Sequence, residues 1–124
     1  GVDSGLLLVP VADPHTDPVD VFLQRIRTVL SSAKEGKIQA VRATPLLAIS
    51  NLGMFGVKEV SAIIPPGCNA ILAAGAARDQ VVWKNGRAEA LRVCTVTVSA
   101  DHRVVDGISV AQFLERMQFH LNSL

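Results

Sequence analysis

Hydrophobic residues recur at steps of three and four in two stretches of the chain, and this spacing predicts two amphipathic helices. The first is predicted to begin at Asp17, whose carboxylate can cap it, with Pro18 in the first turn, and to end at Gly36. The second is predicted to follow Gly107, with Asp106 as its cap. The apolar stripes consist of Val19, Phe22, Leu23, Ile26, Leu30 and Ala33 in the first helix and Val110, Phe113, Leu114, Met117 and Leu121 in the second.

Shorter patterns predict β-strands before and between these helices. Apolar runs at residues 6–11, 46–50 and 60–64 are typical of short buried strands. Asn85 and Gly86 separate two further runs, and this dipeptide is a strong hairpin signal. From Val93 to Ala100 polar and apolar residues alternate, as in a strand. Residues 70–77 carry almost no large side chains, so we expect another segment to pack closely on their backbone. The order of elements predicts a mixed α/β domain.

The composition predicts a single soluble domain. A length of 124 residues, 49% of them hydrophobic, is sufficient for one hydrophobic core. The formal charge of +1, with scattered basic residues, gives no basis for binding nucleic acid. No apolar run approaches the roughly 20 residues of a membrane-spanning helix, so no membrane insertion is expected.

The residues that commonly bind metals or form cross-links show no suitable spacing. Cys68 and Cys94 are far apart in the sequence and each has apolar neighbours, so we expect buried, reduced thiols. The single tryptophan, Trp83, is expected to be a packing residue. No metal site is predicted from the three histidines, which are His15, His102 and His120.

The most distinctive stretch is residues 99–107, SADHRVVDG, where a polar turn follows the alternating strand and opens the second helix. His102 in this turn is a candidate general base, because a free imidazole with a pKa of about 6.5 can take up and return a proton near neutral pH. A position at the end of a strand would hold that base on a rigid element. The spacing His-x-x-x-Asp-Gly is also compatible with a purely structural turn.

Two longer motifs resemble the dihydrolipoamide acyltransferases, the core enzymes of 2-oxo acid dehydrogenase complexes. They are residues 101–107 (DHRVVDG) and 49–56 (ISNLGMFG), and residues 5–11 and 65–75 also look like that family, in the same order. The resemblance implies the chloramphenicol-acetyltransferase-like fold, a mixed sheet flanked by helices, in trimers. It also implies that residues 1–124 correspond to the C-terminal half of the family's catalytic domain. The start at Gly1 rather than methionine suggests a cut or processed product.

The resemblance implies transfer of an acyl group between a lipoyl group and coenzyme A, both as substrates, with no metal. His102 would be the general base and Ser50 the donor to the oxyanion, although a serine at a strand end can also simply bond its own backbone. Asp106 would anchor the loop that holds the histidine, often through an arginine from elsewhere. Supporting or loop-shaping positions would be Asn51, Gly53, Gly56, Asp101, Arg103 and Gly107.

In this family the histidine and the serine of one site come from adjacent subunits. The expected partners are therefore further copies of the chain in a homotrimer or larger core, together with lipoyl domains and the other enzymes of the complex. The amino acids at residues 49–56 look most like those of the acetyl-transferring members and so favour an acetyl group over a branched-chain or succinyl group. The expected location is the cytoplasm of a bacterium or the mitochondrial matrix of a eukaryote.

Two other functions remain open at this stage. A non-catalytic scaffold subunit of the same complex could use the same fold, but such relatives tend to lose the histidine, and His102 is present. A free-standing enzyme similar to chloramphenicol acetyltransferase tends to have two adjacent histidines, and Asp101 occupies the first of those positions.

Overall fold

A computed structural model describes residues 8–12, 14–37 and 45–123 of the chain. The chain divides into two compact units, Gly1–Pro45 and Leu46–Leu124. Within the described residues, the first contains one α-helix, and the second contains five strands, one α-helix and a single 3₁₀ turn. The mixed α/β class predicted from the sequence is confirmed.

The helix of the first unit, α1 (Val19–Lys34), ends as predicted but begins differently. Gly36 has the left-handed φ of +75° that stops a helix. The predicted cap at Asp17 is wrong: Pro18 occupies the cap position, and the Asp17 carboxylate instead forms an ion pair with Arg25 at 3.0 Å. A capping side chain belongs to the residue just before the first helical residue, and Asp17 is one position too early.

Little of the apolar stripe of α1 is covered within this unit. Ala33 is the one buried residue of the helix, whereas the side chain of Val19 is 74% exposed. The strand predicted for residues 6–11 is not found at residues 8–11, and residues 6 and 7 lie outside the described part of the chain. An apolar run becomes a strand only when a second strand pairs with it, and no ladder to residues 8–11 is described.

The second unit is built on a three-stranded mixed sheet. Its elements are β1 (Leu47–Asn51), β2 (Ala70–Ala74), β3 (Arg78–Lys84), β4 (Arg87–Val93), β5 (Val96–Ala100) and α2 (Gly107–Asn122). In the sheet, β2 is central, with β1 parallel to it on one side and β5 antiparallel on the other. The strands β3 and β4 form a separate two-stranded sheet.

One face of the three-stranded sheet is the buried one. It carries Ile71 and Ala73 of β2, and Ala73 is only 1% exposed. Residues 57–60 lie over this face: the hydroxyl of Thr97 donates to the carbonyl of Val60, and the amide of Ala76 donates to the carbonyl of Val57 at 2.7 Å. The strand predicted at residues 60–64 is therefore wrong: the carbonyl of Val60 accepts from a side chain, and no strand ladder includes the segment.

The hairpin predicted at Asn85 and Gly86 is confirmed. These residues have φ values of 52° and 77°, as a type I′ turn requires, and β3 pairs with β4 in register on both sides of them. The packing role expected for Trp83 is wrong within this chain, because the residue is 77% exposed. In the described structure the hairpin forms its own small sheet, so no second layer covers the indole.

The thiols are less buried than the sequence predicts. Cys68 is half-buried and Cys94 is exposed, and both are free. The thiol of Cys94 donates to the carbonyl of Gly75 at 3.1 Å. Cys94 lies in the short link between β4 and β5, where it is exposed, whereas its apolar neighbours in the sequence had indicated burial.

The second helix begins where the sequence predicts. The Oδ1 of Asp106 accepts a hydrogen bond from the amide of Ser109 at 2.7 Å, so Asp106 is the cap of α2. No residue of α2 is buried within the chain. Among the helices that the structure describes, none is both long and apolar enough to cross a membrane.

Candidate active site

His102 is presented by a tight turn that follows β5. The turn is fixed through the residue before it: the amide of Asp101 donates to the carbonyl of Asn69 at 2.8 Å. The carbonyl of Asp101 accepts from the amides of Val104 at 2.9 Å and Val105 at 3.0 Å. The backbone on both sides of the histidine is therefore anchored, while His102 itself is exposed. This arrangement suits a base that must meet a substrate from outside the chain.

An ion pair between Asp101 and Arg103 closes the same turn. Oδ2 of Asp101 lies 2.6 Å from Nη2 of Arg103, and Oδ1 accepts from both the amide and Nε of Arg103 at 3.0 Å. The hydrogen bonds and charge of Arg103 lower the pKa of Asp101 to about 2, and the pair raises the pKa of Arg103. Arg103 is therefore engaged by Asp101 and not by Asp106.

This pair predicts an acid-dependent contribution to stability. The pKa of Asp101 is lowered on folding, so its contribution is complete well above the unfolded-state pKa of about 3.9 and is lost as the pH falls towards 2. We expect Asp101→Asn to be less stable than the wild type by a constant margin above about pH 5. Urea denaturation at several pH values should show this margin shrinking between about pH 4 and pH 2. Asp79→Asn, which removes the partner of an exposed 3.5 Å ion pair with Arg92, is the control and should show little margin at any pH.

Asp106 lies close to the histidine as well as at the helix start. Its pKa is lowered, chiefly by the hydrogen bond from the backbone amide of Ser109, then by the Ser109 side chain, and to a small extent by the charge of His102. The carboxylate that caps α2 is thus near enough to the imidazole to interact with it electrostatically. The described contacts of Asp106 support the predicted role of a loop anchor, exercised here through the helix cap.

The second motif forms the end of β1 and the loop after it. Ser50 is half-buried and pairs with Ala73 of β2, and among the described residues no hydrogen bond engages its hydroxyl. Oδ1 of Asn51 accepts from the amide of Gly53 at 2.9 Å. A single 3₁₀ turn, Gly53–Phe55, follows, and Gly56 ends it with a φ of 74°.

The two motifs contain three glycines, and the structural reason for glycine differs among them. A Cβ on Gly53 would lie 2.9 Å from the carbonyl oxygen of Gly75, so close packing requires glycine there. Gly56 requires glycine because of its positive φ, which other residues rarely adopt. A Cβ on Gly107 would meet no heavy atom within 4 Å. The loop-shaping role expected for Gly107 therefore has no support from close packing.

Within one chain, Ser50 and His102 lie towards opposite ends of the sheet. Ser50 pairs with Ala73 near the end of β2, whereas Ala100, the last residue of β5, pairs with Ala70 at the beginning of β2. These rows are three residue steps apart along β2, which is about 10 Å at the usual rise of a strand. His102 lies two residues beyond Ala100. The structure therefore brings Asp101, Arg103 and Asp106 to His102, but it does not bring Ser50 to it.

Two further features bear on the chemistry of the site. Met54 and Phe55 belong to the loop that follows Ser50 (residues 51–58, the serine loop). Their side chains are 79% and 71% exposed, so this loop presents an apolar surface. In the described residues no cluster of histidine, cysteine and carboxylate side chains could hold a metal ion.

Sequence reasoning did not identify Gly75 as part of this site, although the small residues around it were a signal of close packing.

Comparison with known proteins decides the family. The family model described as 2-oxoacid dehydrogenases acyltransferase (catalytic domain) matches residues 1–124 of the chain. The chain belongs to this family. The resemblance of residues 49–56 and 101–107 to the dihydrolipoamide acyltransferases is thus confirmed over the whole sequence.

The curated relatives are longer than this chain. An acetyltransferase component of the chloroplastic pyruvate dehydrogenase complex of Arabidopsis thaliana is 38% identical over 120 residues, which cover 94% of this chain and 25% of the relative. The corresponding protein of Rickettsia prowazekii is 32% identical over 119 residues, covering 91% of this chain and 28% of the relative. The chain spans about a quarter of the length of these acyltransferases. The chloroplast is a compartment that the expectation from the sequence did not include.

Solved structures share the fold. Dihydrolipoamide acetyltransferase of Azotobacter vinelandii superposes with a TM-score of 0.84 at 25% identity, over 94% of this chain and 48% of that one. A probable dihydrolipoamide acetyltransferase of Listeria monocytogenes superposes with a TM-score of 0.79 at 21% identity. The expected acyltransferase fold is confirmed, and the chain corresponds to about half of the catalytic cores it matches.

Proposed function

We propose that this chain is the C-terminal part of the catalytic domain of a dihydrolipoamide acetyltransferase, which transfers an acetyl group between a lipoyl group and coenzyme A. One observation carries the proposal. The study of the A. vinelandii enzyme concerned the catalytic roles of a serine, a histidine and an asparagine. Ser50, His102 and Asp106 are separated along this chain by the same numbers of residues, with an aspartate in place of the asparagine.

The proposed reaction begins with proton transfer to His102. The imidazole removes the proton from the thiol of coenzyme A; the pKa of a free thiol, about 8.5, exceeds that of a free imidazole by about two units, a gap that a positioned hydrogen bond can bridge. The thiolate attacks the carbonyl carbon of the acetyl thioester on the lipoyl group. The hydroxyl of Ser50 donates a hydrogen bond to the oxyanion of the tetrahedral intermediate. When the intermediate collapses, the lipoyl sulfur leaves and takes the proton back from His102.

The separation of Ser50 and His102 along the sheet supports a site made by two copies. The rows of Ser50 and Ala100 lie about 10 Å apart, and His102 follows Ala100. The base and the oxyanion donor must each lie about 3 Å from the reacting atoms. We therefore propose that each site combines His102 of one copy with Ser50 of a neighbouring copy. A closed ring of copies, as in a trimer, satisfies this requirement with every copy contributing to two sites.

Exposed apolar side chains beside Ser50 support an assembled site. The apolar side chains of Met54 and Phe55 beside Ser50 are exposed in the isolated chain and would be covered by a second copy or by the arms of the substrates. Lipoyl domains and the other enzymes of the dehydrogenase complex are the proposed partners. The scaffold alternative is less well supported, because a scaffold has no use for an exposed histidine held in an anchored turn.

The proposed compartment is that of the pyruvate dehydrogenase complex in the source organism. This is the cytoplasm of a bacterium, in line with the R. prowazekii relative, or an organelle of a eukaryote, in line with the A. thaliana relative. The mitochondrial matrix is the organelle proposed from the sequence.

Complementation between two inactive variants tests the shared site. We expect Ser50→Ala and His102→Ala each to keep about a hundredth or less of the wild-type turnover when assembled alone. After they are dissociated, mixed in equal amounts and reassembled, turnover should recover to about one quarter of the wild type. The quarter follows because random mixing gives one site in four an intact serine and an intact histidine. Acetyl transfer from acetyl-coenzyme A to dihydrolipoamide is the measurement.

The control is a mixture of Ser50→Ala with the double variant Ser50→Ala/His102→Ala, which contains no intact serine and should stay inactive. Mixed assemblies of the single variants that are confirmed by mass but show no recovery would contradict a site shared between copies.

A further inference from the structure

Gly75 lies where three segments of the chain meet. It follows β2 directly, and its amide donates to the carbonyl of Thr95 at 2.9 Å. Its carbonyl accepts from the thiol of Cys94 at 3.1 Å. The next residue, Ala76, donates its amide to the carbonyl of Val57 at 2.7 Å. Gly75 is buried at this junction, and neither catalytic motif contains it.

A side chain at this position has no space. A Cβ built on Gly75 would lie 2.1 Å from the carbonyl oxygen of Lys58 and 2.9 Å from that of Val57. Both distances are shorter than any that real Cβ atoms adopt, and both obstacles are backbone atoms, which cannot move aside by a change of rotamer. Glycine is therefore required here for the close approach of two backbones.

The same junction holds both ends of the loop that follows Ser50. At its start, the amide of Leu52 donates to the carbonyl of Ala74 at 3.1 Å. Gly53 lies against Gly75, so that a Cβ on Gly53 would be 2.9 Å from the Gly75 carbonyl oxygen. At the end of the loop, residues 57 and 58 lie directly on Gly75. The position of this loop relative to β2 thus depends on the absence of side chains at two glycines in contact.

We propose that Gly75 is a positioning residue for the Ser50 hydroxyl. Its missing side chain lets residues 51–58 close onto the end of β2, and this closure sets the direction in which Ser50 donates. Gly75 touches no substrate and acts only through the serine loop. The inference rests on the proposed role of Ser50 as oxyanion donor and extends it to a residue of another segment.

The test compares Gly75→Ala and Gly53→Ala in the assembled enzyme. We expect Gly75→Ala to lower kcat about tenfold or more with KM for both substrates changed less than about twofold, because an oxyanion donor acts in the transition state and not in substrate binding. Gly53→Ala should lower kcat less, because its Cβ would meet its nearest neighbour at 2.9 Å and not at 2.1 Å. Ala88→Ser, which adds one atom at an exposed position of β4, should leave kcat unchanged.

A double-mutant comparison separates positioning from general damage. If the glycines act through Ser50, adding Gly75→Ala or Gly53→Ala to Ser50→Ala should lower kcat no further, once the rate is expressed per correctly assembled site. Multiplicative losses would overturn the positioning role. If Gly75→Ala does not assemble, the comparison of Ser50→Ala with Ser50→Ala/Gly53→Ala tests the same contact from the side of the serine loop. Wild-type turnover in Ser50→Ala itself would instead count against the proposed function, so the two failures are distinguishable.

Discussion

His102→Ala is expected to lower kcat for acetyl transfer by about 10²–10⁴-fold, the usual contribution of a general acid or base. In the proposed mechanism the same imidazole removes the thiol proton and returns it to the leaving sulfur, so its loss would affect both halves of the reaction. KM for coenzyme A should change little, because the exposed histidine at the turn acts on a proton and does not supply most of the binding energy. Steady-state kinetics on the assembled enzyme provide the measurement.

A matched control is available at the other end of α2. His120 is also exposed and packs edge-on against Phe119, with ring centroids 5.6 Å apart. It is far in sequence from the motif, and His120→Ala should leave kcat within about twofold of the wild type. Near-normal turnover of an assembled His102→Ala enzyme would remove the histidine from the proposed mechanism and favour the scaffold alternative.

Ser50→Ala is expected to lower kcat by about a hundredfold or more, as the loss of one oxyanion donor usually does. Ser50 is half-buried near the end of β1, and its hydroxyl has no described hydrogen bond, so its removal breaks none. The melting temperature should therefore stay close to that of the wild type. The kinetic loss should fall on kcat and not on KM, because the oxyanion forms only after substrate binding.

Ser61→Ala serves as the control for this second variant, since Ser61 is exposed in the segment that follows the serine loop. Its turnover should be that of the wild type. An equal loss in Ser50→Ala and Ser61→Ala would show that the assay responds to damage of this region and not to an oxyanion donor.

Features that depend on a few neighbouring residues could be predicted from the sequence. Asp106 caps α2 because a carboxylate just before a helix reaches the amide of a residue three positions on. Asn85 and Gly86 form the hairpin turn because both tolerate a positive φ. The ion pair of Asp101 and Arg103 spans two positions. Interactions of this range are encoded locally, so the cap at Asp106 and the polar turn at His102 could be anticipated, whereas the pairing of Asp101 with Arg103 was left open.

Features that need a distant partner were predicted less well. The apolar run at residues 60–64 looks like a strand, but no strand ladder of the described structure includes it. Trp83 looks like a core residue but lies exposed on a separate hairpin. The spacing of apolar residues predicts local secondary structure. Whether another segment pairs with these residues or covers them depends on the rest of the fold. The same limitation explains why Cys94 was expected to be buried but is exposed.

By itself, the sequence determined the family, the helices, the hairpin and the identity of the candidate catalytic residues, because these follow from motifs and from contacts within a few positions. Only the tertiary structure decided that Ser50 and His102 lie at opposite ends of the sheet and that Gly75 closes onto the serine loop. Strand order and direction depend on hydrogen bonds between residues far apart in the chain. The relative position of two motifs on different strands is therefore a property of the folded sheet.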